Sequence, residues 1–267
     1  MPDVVTSIFQ LEDNKGSYLP KIAIQYIEKD TGIQWIINCG GTRLYLVRIG
    51  INLSQDLNDQ AADSHFMANR ITTALLLAGG GLFRAIPKGR LIIKDIDKEQ
   101  IEIITHLDLR EVCDLSEKNS KIKNNSIKSF EDWYKFICQN IFFRRAADDA
   151  YAALLNPVEC IFYIYRGMEW LMKAANIGWR EIAQDMGITF NDIKKFKRQV
   201  NHEIGDRHGV ISGHKRRANL EYYGSLVADF IYGLGNVRKR VDKEFPGFSP
   251  EEAAEIVLKA MPLIPYL

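Results

Sequence analysis

The first part of the chain carries hydrophobic residues in the short runs that are typical of β-strands. Residues 20–51 contain three runs rich in β-branched and aromatic residues, KIAIQYIE, IQWIIN and RLYLVRIGI, which predict an antiparallel meander. A helix is predicted over residues 56–78, because the Gly79-Gly80-Gly81 that follows is typical of a helix end. Two further apolar runs, residues 90–96 and 101–107, predict more strands.

The second part of the chain repeats its hydrophobic residues at helical spacing. Ser129 followed by Asp132 is typical of a helix N-terminus, and the clearest apolar stripe begins near Pro157 and runs to Ala175. Ser249 with the Pro-Glu-Glu that follows it predicts the start of a short final helix. Between these points the pattern predicts helices over three ranges, residues 179–186, 191–204 and 216–245.

These patterns together predict an α+β protein of two domains. The N-terminal domain, residues 1–115, is expected to be an antiparallel β-rich domain with one helix. The segment LSEKNSKIKNNSIK is almost entirely polar, so we expect a linker over residues 116–128. The C-terminal domain, residues 129–267, is expected to be all-α.

Composition excludes several classes of protein. The 35 lysines and arginines nearly balance the 34 acidic residues, so the net charge of +1 gives no overall attraction to nucleic acid or membranes. The cysteines lie far apart without a CxxC pair, which argues against a zinc ribbon and favours reduced thiols; they are Cys39, Cys113, Cys138 and Cys160. Without a signal-like N-terminus or a long apolar stretch, we expect a cytoplasmic protein with no membrane association.

Basic residues and histidines concentrate in one stretch of the helical part. Of the five histidines, His202, His208 and His214 lie there. The basic residues of this stretch are Lys194, Lys195, Lys197, Arg198, Arg207, Lys215, Arg216 and Arg217. Two acidic residues, Glu203 and Asp206, oppose them. Such a local excess can bind phosphates, although a run of charge is more often plain solvated surface.

The motif RHGVISGH, residues 207–214, stands out within this stretch. Arg207 is followed by the polar His208, and six residues separate Arg207 from His214. This pattern resembles the active-site motif of the HEPN ribonucleases, which lies at the start of the final long helix of a helical bundle. The run DDAYAALLNPVECIFYIYRGMEWL is also similar to early bundle helices of HEPN-like and MauJ-like proteins. There Glu169 could face the motif, or could simply pair with Lys173 at helical spacing.

The resemblance covers residues 129–245 and implies a HEPN-like bundle with endoribonuclease activity that needs no metal and no cofactor. His214 would act as general acid or base and Arg207 would hold the phosphate oxygens, since these side chains suit proton transfer and charge stabilisation. RNA would contact His208, Lys215, Arg216 and Arg217. The family's usual arrangement implies a homodimer. Its usual settings imply a toxin or antiviral-defence effector with a partner protein, or with an N-terminal domain that senses a trigger.

Three alternatives compete with this interpretation. A metal site at the histidines is disfavoured, because the flanking cations would repel a metal ion and the histidine spacing does not fit one helical face. The sequence WREIAQDMGITFNDIKKFKRQVN matches helix-turn-helix spacing, which would make residues 179–199 a DNA-binding unit, or only a common corner between packed helices. The DNA-facing residues would be Asn191, Lys194, Lys195, Lys197 and Arg198. A catalytically inactive HEPN-like scaffold is the third alternative.

Overall fold

The computed structural model describes eight ranges of the chain: residues 3–12, 19–28, 31–50, 57–94, 100–105, 124–156, 159–203 and 213–260. The chain divides into two compact units, Met1–Asp132 and Trp133–Leu267. Strands occupy the first unit and most of the helices occupy the second, so the protein is α+β as expected. Over the ranges given above, no helix combines the length and the hydrophobicity needed to cross a membrane.

The first unit contains one antiparallel sheet of six strands in the order β2-β3-β4-β1-β5-β6. The strands are β1 (Asp3–Glu12), β2 (Leu19–Ile27), β3 (Gln34–Gly41), β4 (Arg43–Gly50), β5 (Arg84–Lys94) and β6 (Gln100–Thr105). Neighbours β2, β3 and β4 pair consecutively, which confirms the predicted meander.

Strand β1 was absent from the sequence-based prediction, yet it lies inside the sheet between β4 and β5. Its ladder to β4 runs from the pair Asp3↔Gly50 to the pair Gln10↔Arg43. On its other side Val4 pairs with Ile93. Both sets of backbone groups of β1 are therefore used for pairing, and Val5 at its centre is completely buried.

Helix α1 (Leu57–Leu77) packs on the sheet and ends as its sequence predicted. Gly79 has a φ of +73°, and its amide donates to the carbonyl of Leu76 at 2.9 Å. The amide of Gly80 donates to the carbonyl of Leu75 at 2.8 Å, which completes a Schellman motif. The hydroxyl of Ser7 in β1 donates to the hydroxyl of Ser64 at 2.8 Å, so α1 covers the odd-numbered face of β1.

Strand β5 begins earlier than the prediction of residues 90–96. Its register against β1 shifts between Ile8 and Phe9, where Pro87 pairs with Phe9 and Gly89 pairs with Ile8. Proline and glycine weaken the strand pattern, but a bulge tolerates both, since it interrupts the regular ladder. The predicted strand start at residue 90 was therefore wrong.

The second unit is helical. Its helices are α2 (Asn124–Gln139), which begins before the boundary, then α3 (Ile141–Leu155), α4 (Cys160–Ala175), α5 (Trp179–Asp185), α6 (Phe190–Glu203), α7 (Gly213–Val241) and α8 (Pro250–Ala260). The last one starts with the expected capping box: the amide of Ser249 donates to Glu252 at 2.8 Å, and the amide of Glu252 donates to the Ser249 hydroxyl at 3.1 Å.

One predicted helix start was wrong, and another lies outside the described residues. Helix α2 begins at Asn124, inside the expected linker 116–128, so Ser129 lies within the helix and caps nothing. Helix α4 begins at Cys160, preceded by Glu159, and Pro157 lies outside the described residues. The start of α2 at Asn124 was not predicted, because the asparagine and serine residues around it also favour turns.

Glycines let the helices of the second unit approach each other closely. A Cβ at Gly167 of α4 would lie 2.3 Å from the ring of Phe230 in α7, and one at Gly233 of α7 would lie 2.5 Å from Cγ of Met186. Gly233 therefore has a packing role that offsets its low helix propensity. Phe230 and Met186 are both buried at these contacts.

Candidate nucleic-acid interface

The residues of the predicted catalytic motif are described only in part. Arg207 and His208 lie outside the described residues. Helix α7 begins at Gly213, earlier than the expected start at residue 216, so His214 belongs to its first turn. The helix continues through Lys215, Arg216 and Arg217, and their side chains, like that of His214, lie outside the description. The described residues thus neither bring Arg207 and His214 together nor separate them.

The helices before the motif, α5 and α6, are joined by a tightly specified turn. Gly187 has a φ of +69°, a conformation that glycine adopts without strain. Its amide donates to the carbonyl of Gln184 at 3.0 Å, and the amide of Ile188 donates to the carbonyl of Ala183 at 3.0 Å. These two bonds end α5 in a second Schellman motif and turn the chain towards α6.

A capping box starts α6 directly after this turn. The amide of Thr189 donates to the Asp192 carboxylate at 3.2 Å, and the amide of Asp192 donates to the Thr189 hydroxyl at 3.2 Å. Hydrogen bonding from Thr189 also lowers the pKa of Asp192. The charge of this carboxylate therefore stabilises the N-terminus of α6.

The inner face of the two helices has the burial that helix-turn-helix spacing predicts. The residues that pack them together are Ile182, Ala183, Met186, Ile193 and Phe196, and each is buried. This burial agrees with the alternative interpretation of residues 179–199, and equally with a packed corner inside a bundle.

The outer face of α6 is polar and basic. Asn191, Lys194, Lys195 and Arg198 follow one another at the spacing of a single helix face, and all four are exposed. The ammonium of Lys195 lies 3.5 Å from Asp192, an exposed pair that contributes little to stability. The side chains on this face are therefore accessible to a ligand.

Two lysines of α6 make cation–π contacts: the ammonium of Lys194 lies 4.9 Å from the ring centroid of Phe190 in the same helix, and that of Lys197 lies 3.6 Å from the ring centroid of Trp179 in α5. Only the contact of Lys197 joins the two helices, so it helps to hold α6 against α5. Lys197 was expected among the DNA-facing residues, but this contact gives it a structural role. Sequence spacing could not reveal the contact, since it joins two different helices.

An ion pair anchors α5 to α7. The guanidinium of Arg240 donates to both carboxylate oxygens of Asp185, with Nε 2.7 Å from Oδ2 and Nη2 2.8 Å from Oδ1. This hydrogen bonding raises the pKa of Arg240. The side-chain amide of Asn236 also donates to the Asp185 carbonyl at 2.8 Å. The basic helix α6 therefore extends from a firmly held neighbour.

Glu169 does not form the predicted pair with Lys173. The ammonium of Lys173 instead lies 4.6 Å from the ring centroid of Trp170. Burial, followed by the charge and hydrogen bonding of Glu169, raises the pKa of Tyr165. Glu169 thus interacts within its own helix, next to Tyr165.

Metal-binding chemistry has no support in the described ranges, where no group of three or more His, Cys, Asp or Glu side chains could hold an ion. Within the described residues, Cys39, Cys138 and Cys160 form no disulfide. Burial raises the pKa of both Cys39 and Cys160 to about 12, so these two thiols are unreactive at neutral pH.

Comparisons with protein-family models, with curated proteins and with solved structures find no match to this chain.

Proposed function

We propose that the helical unit binds RNA along the exposed face of α6 and cleaves it with Arg207 and His214. The observation that supports binding is the single face formed by Asn191, Lys194, Lys195 and Arg198. Helix α6 ends at Glu203 and α7 begins at Gly213, so the proposed catalytic residues follow the basic helix directly in the chain. Phosphates held by α6 would bring the adjoining backbone of RNA towards them.

The chemistry proposed for the motif is transesterification. One histidine removes the proton of a 2'-hydroxyl, which attacks the adjacent phosphorus and displaces the 5'-oxygen of the next nucleotide. Arg207 stabilises the charge on the non-bridging oxygens, and the leaving oxygen takes a proton. The products are a 2',3'-cyclic phosphate and a 5'-hydroxyl. Two protomers, each supplying one His214, would provide the base and the acid, which makes a homodimer part of the proposal.

The catalytic proposal is tested with Arg207→Ala and His214→Ala in the full-length protein. Each variant is expected to lose cleavage of a mixed-sequence RNA at least about a hundredfold, because acid–base catalysis by His214 and charge stabilisation by Arg207 each contribute at least that factor. Lys239→Ala, an exposed cation at the other end of α7, is the control and should cleave normally. Undiminished cleavage by both motif variants would exclude this proposal.

The binding proposal is tested by removing three cations from α6. The triple variant Lys194→Ala, Lys195→Ala, Arg198→Ala is expected to bind RNA more weakly. The slope of the logarithm of the binding constant against the logarithm of the salt concentration should become shallower by about 0.7 per lost phosphate contact. A control variant of equal charge change replaces three exposed lysines elsewhere, Lys135, Lys239 and Lys243. If both triple variants lose affinity equally, the face of α6 is not the binding surface.

Duplex DNA binding by α5 and α6 is a second candidate, favoured by the buried inner face and the Gly187 turn. Both candidates predict weaker binding by the α6 triple variant, so they are separated by titrating the intact protein with RNA and with duplex DNA in parallel. Preference for duplex DNA, with no RNA cleavage, would favour the regulator. A catalytically inactive scaffold predicts no cleavage even by the intact protein with its partners, and cleavage that is lost on Arg207 substitution would refute it.

A further inference from the structure

A pocket of about 560 Å³ lies within the second unit, between the end of α5, the middle of α7 and helix α8. This volume is in the range of small-molecule sites. Its walls are mostly hydrocarbon, with Met186 on one side and Val257 and Leu258 of α8 on another. None of its described lining residues belongs to α6.

Small side chains keep this space open. Gly187, Gly224, Ser225, Ala228 and Ala254 contribute to its lining, so the facing helices meet without filling the gap. The pocket is open to solvent, since Leu258 in its lining is 71% exposed. A concave apolar surface lined by small residues from three different elements is a feature that suits a ligand.

One acidic residue, Asp229, belongs to the lining of this mostly apolar pocket. Burial raises its pKa. Within the described residues it has no hydrogen-bond or ion-pair partner. The more deeply buried Asp149 and Asp185 each have an arginine on both oxygens. A cationic group of a ligand could therefore compensate the partial burial of the Asp229 carboxylate.

We propose that this pocket binds an organic amine, whose ammonium group pairs with Asp229 and whose hydrocarbon body lies against α8. Ser225 and Tyr232, whose side chains carry hydroxyl groups, also belong to the lining. An ammonium is the complement of a lone carboxylate in an apolar wall, and a charge-assisted hydrogen bond there exceeds a neutral one in strength. The proposal does not depend on nuclease activity.

Calorimetric titration of the full chain with 4-phenylbutylamine tests the proposal. The matched neutral and anionic probes are 4-phenylbutanol and 4-phenylbutyrate. We expect the amine to bind most tightly and the acid most weakly. Asp229→Asn should weaken binding of the amine about tenfold or more and change that of the alcohol less than twofold. Ala254→Leu, which fills the pocket, should weaken both probes.

Glu244→Gln, at an exposed carboxylate outside the lining, is the control and should bind all three probes like the wild type. The proposal is overturned if the amine binds no better than the alcohol, if Asp229→Asn binds the amine unchanged, or if no probe binds saturably. If Ala254→Leu fails to fold, the proposal is tested by the nearly isosteric Asp229→Asn, through its binding of the amine and of the alcohol.

Discussion

At the scale of single residues, the acidic groups buried in the second unit differ in whether a cation compensates them. Asp185 is only 7% exposed, and Arg240 compensates it with paired hydrogen bonds. Asp229 is partly buried beside apolar residues without such a partner among the described residues. The first carboxylate stabilises the fold through its partner, whereas the second carries a cost of desolvation.

Asp229→Asn is therefore expected to stabilise the protein at pH 7. Because burial raises the pKa of Asp229, the folded state binds its proton more tightly than the unfolded state does. Its contribution to stability consequently decreases as pH rises above the ordinary aspartate value of about 3.9. The advantage of Asp229→Asn should be largest near neutral pH and should shrink as pH falls towards 4, as measured by urea unfolding.

Asp185→Asn serves as the matched control, with an expected loss of about 1–3 kcal/mol at pH 7 because Arg240 loses a charged acceptor. The two variants should therefore change the free energy of unfolding in opposite directions. A destabilised Asp229→Asn variant at pH 7 would show that Asp229 is compensated in the folded protein.

At the scale of elements, local signals determined what could be predicted. The end of α1 at Gly79 and the capping box at Ser249 could be predicted, because residues close in the sequence form the hydrogen bonds of both. Of the five residues that were predicted to face DNA from α6, four share its exposed face, whereas Lys197 contacts Trp179. Strand β1 was not predicted, because the strands with which it pairs, β4 and β5, lie far along the chain. The end of α2 and the start of α3 around Asn140 were not predicted either.

The close contact between α7 and the turn after α5 gives a prediction at this scale. Gly233→Ala should destabilise the protein by about 1–3 kcal/mol, because the added methyl group would meet Met186. Met186→Ala makes room for that methyl group. The double variant should therefore lose less stability than the sum of the two single losses, by about 0.5–3 kcal/mol in a denaturant-based cycle.

Gly32→Ala provides the comparison for this cycle, since it lies in the first unit and its Cβ would meet nothing within 4 Å. Combined with Met186→Ala, it should be additive within about 0.5 kcal/mol. Additivity of Gly233→Ala with Met186→Ala would instead mean that the two residues do not compete for space.

At the scale of the whole molecule, each unit has its own core. Ile71 of α1 is completely buried in the first unit, and Phe230 of α7 is completely buried in the second. The sequence indicated two such parts through the change from strand to helical spacing. It could not indicate contacts such as Asp185–Arg240 or the Asp229 pocket, since these join residues from elements that only the folded chain brings together.

Two core substitutions should therefore act on different parts of the molecule. Phe230→Ala, expected to cost about 3–5 kcal/mol, should raise amide hydrogen exchange in α4 and α7. Ile71→Ala, expected to cost about 2–5 kcal/mol, should raise exchange in the sheet. Mass spectrometry of peptic fragments measures both. Equal acceleration in both units by either substitution would show that the cores unfold together.

The interior position of β1 has a consequence for how the sheet could be taken apart. Without β1, the order of strands separates into the meander β2-β3-β4 and the hairpin β5-β6, which no longer touch through backbone pairing. Each piece would then present an open edge, a ready template for another strand. A synthetic peptide with the sequence DVVTSIFQLE has the register to bridge those two edges, so this sheet is suited to reassembly from separate chains.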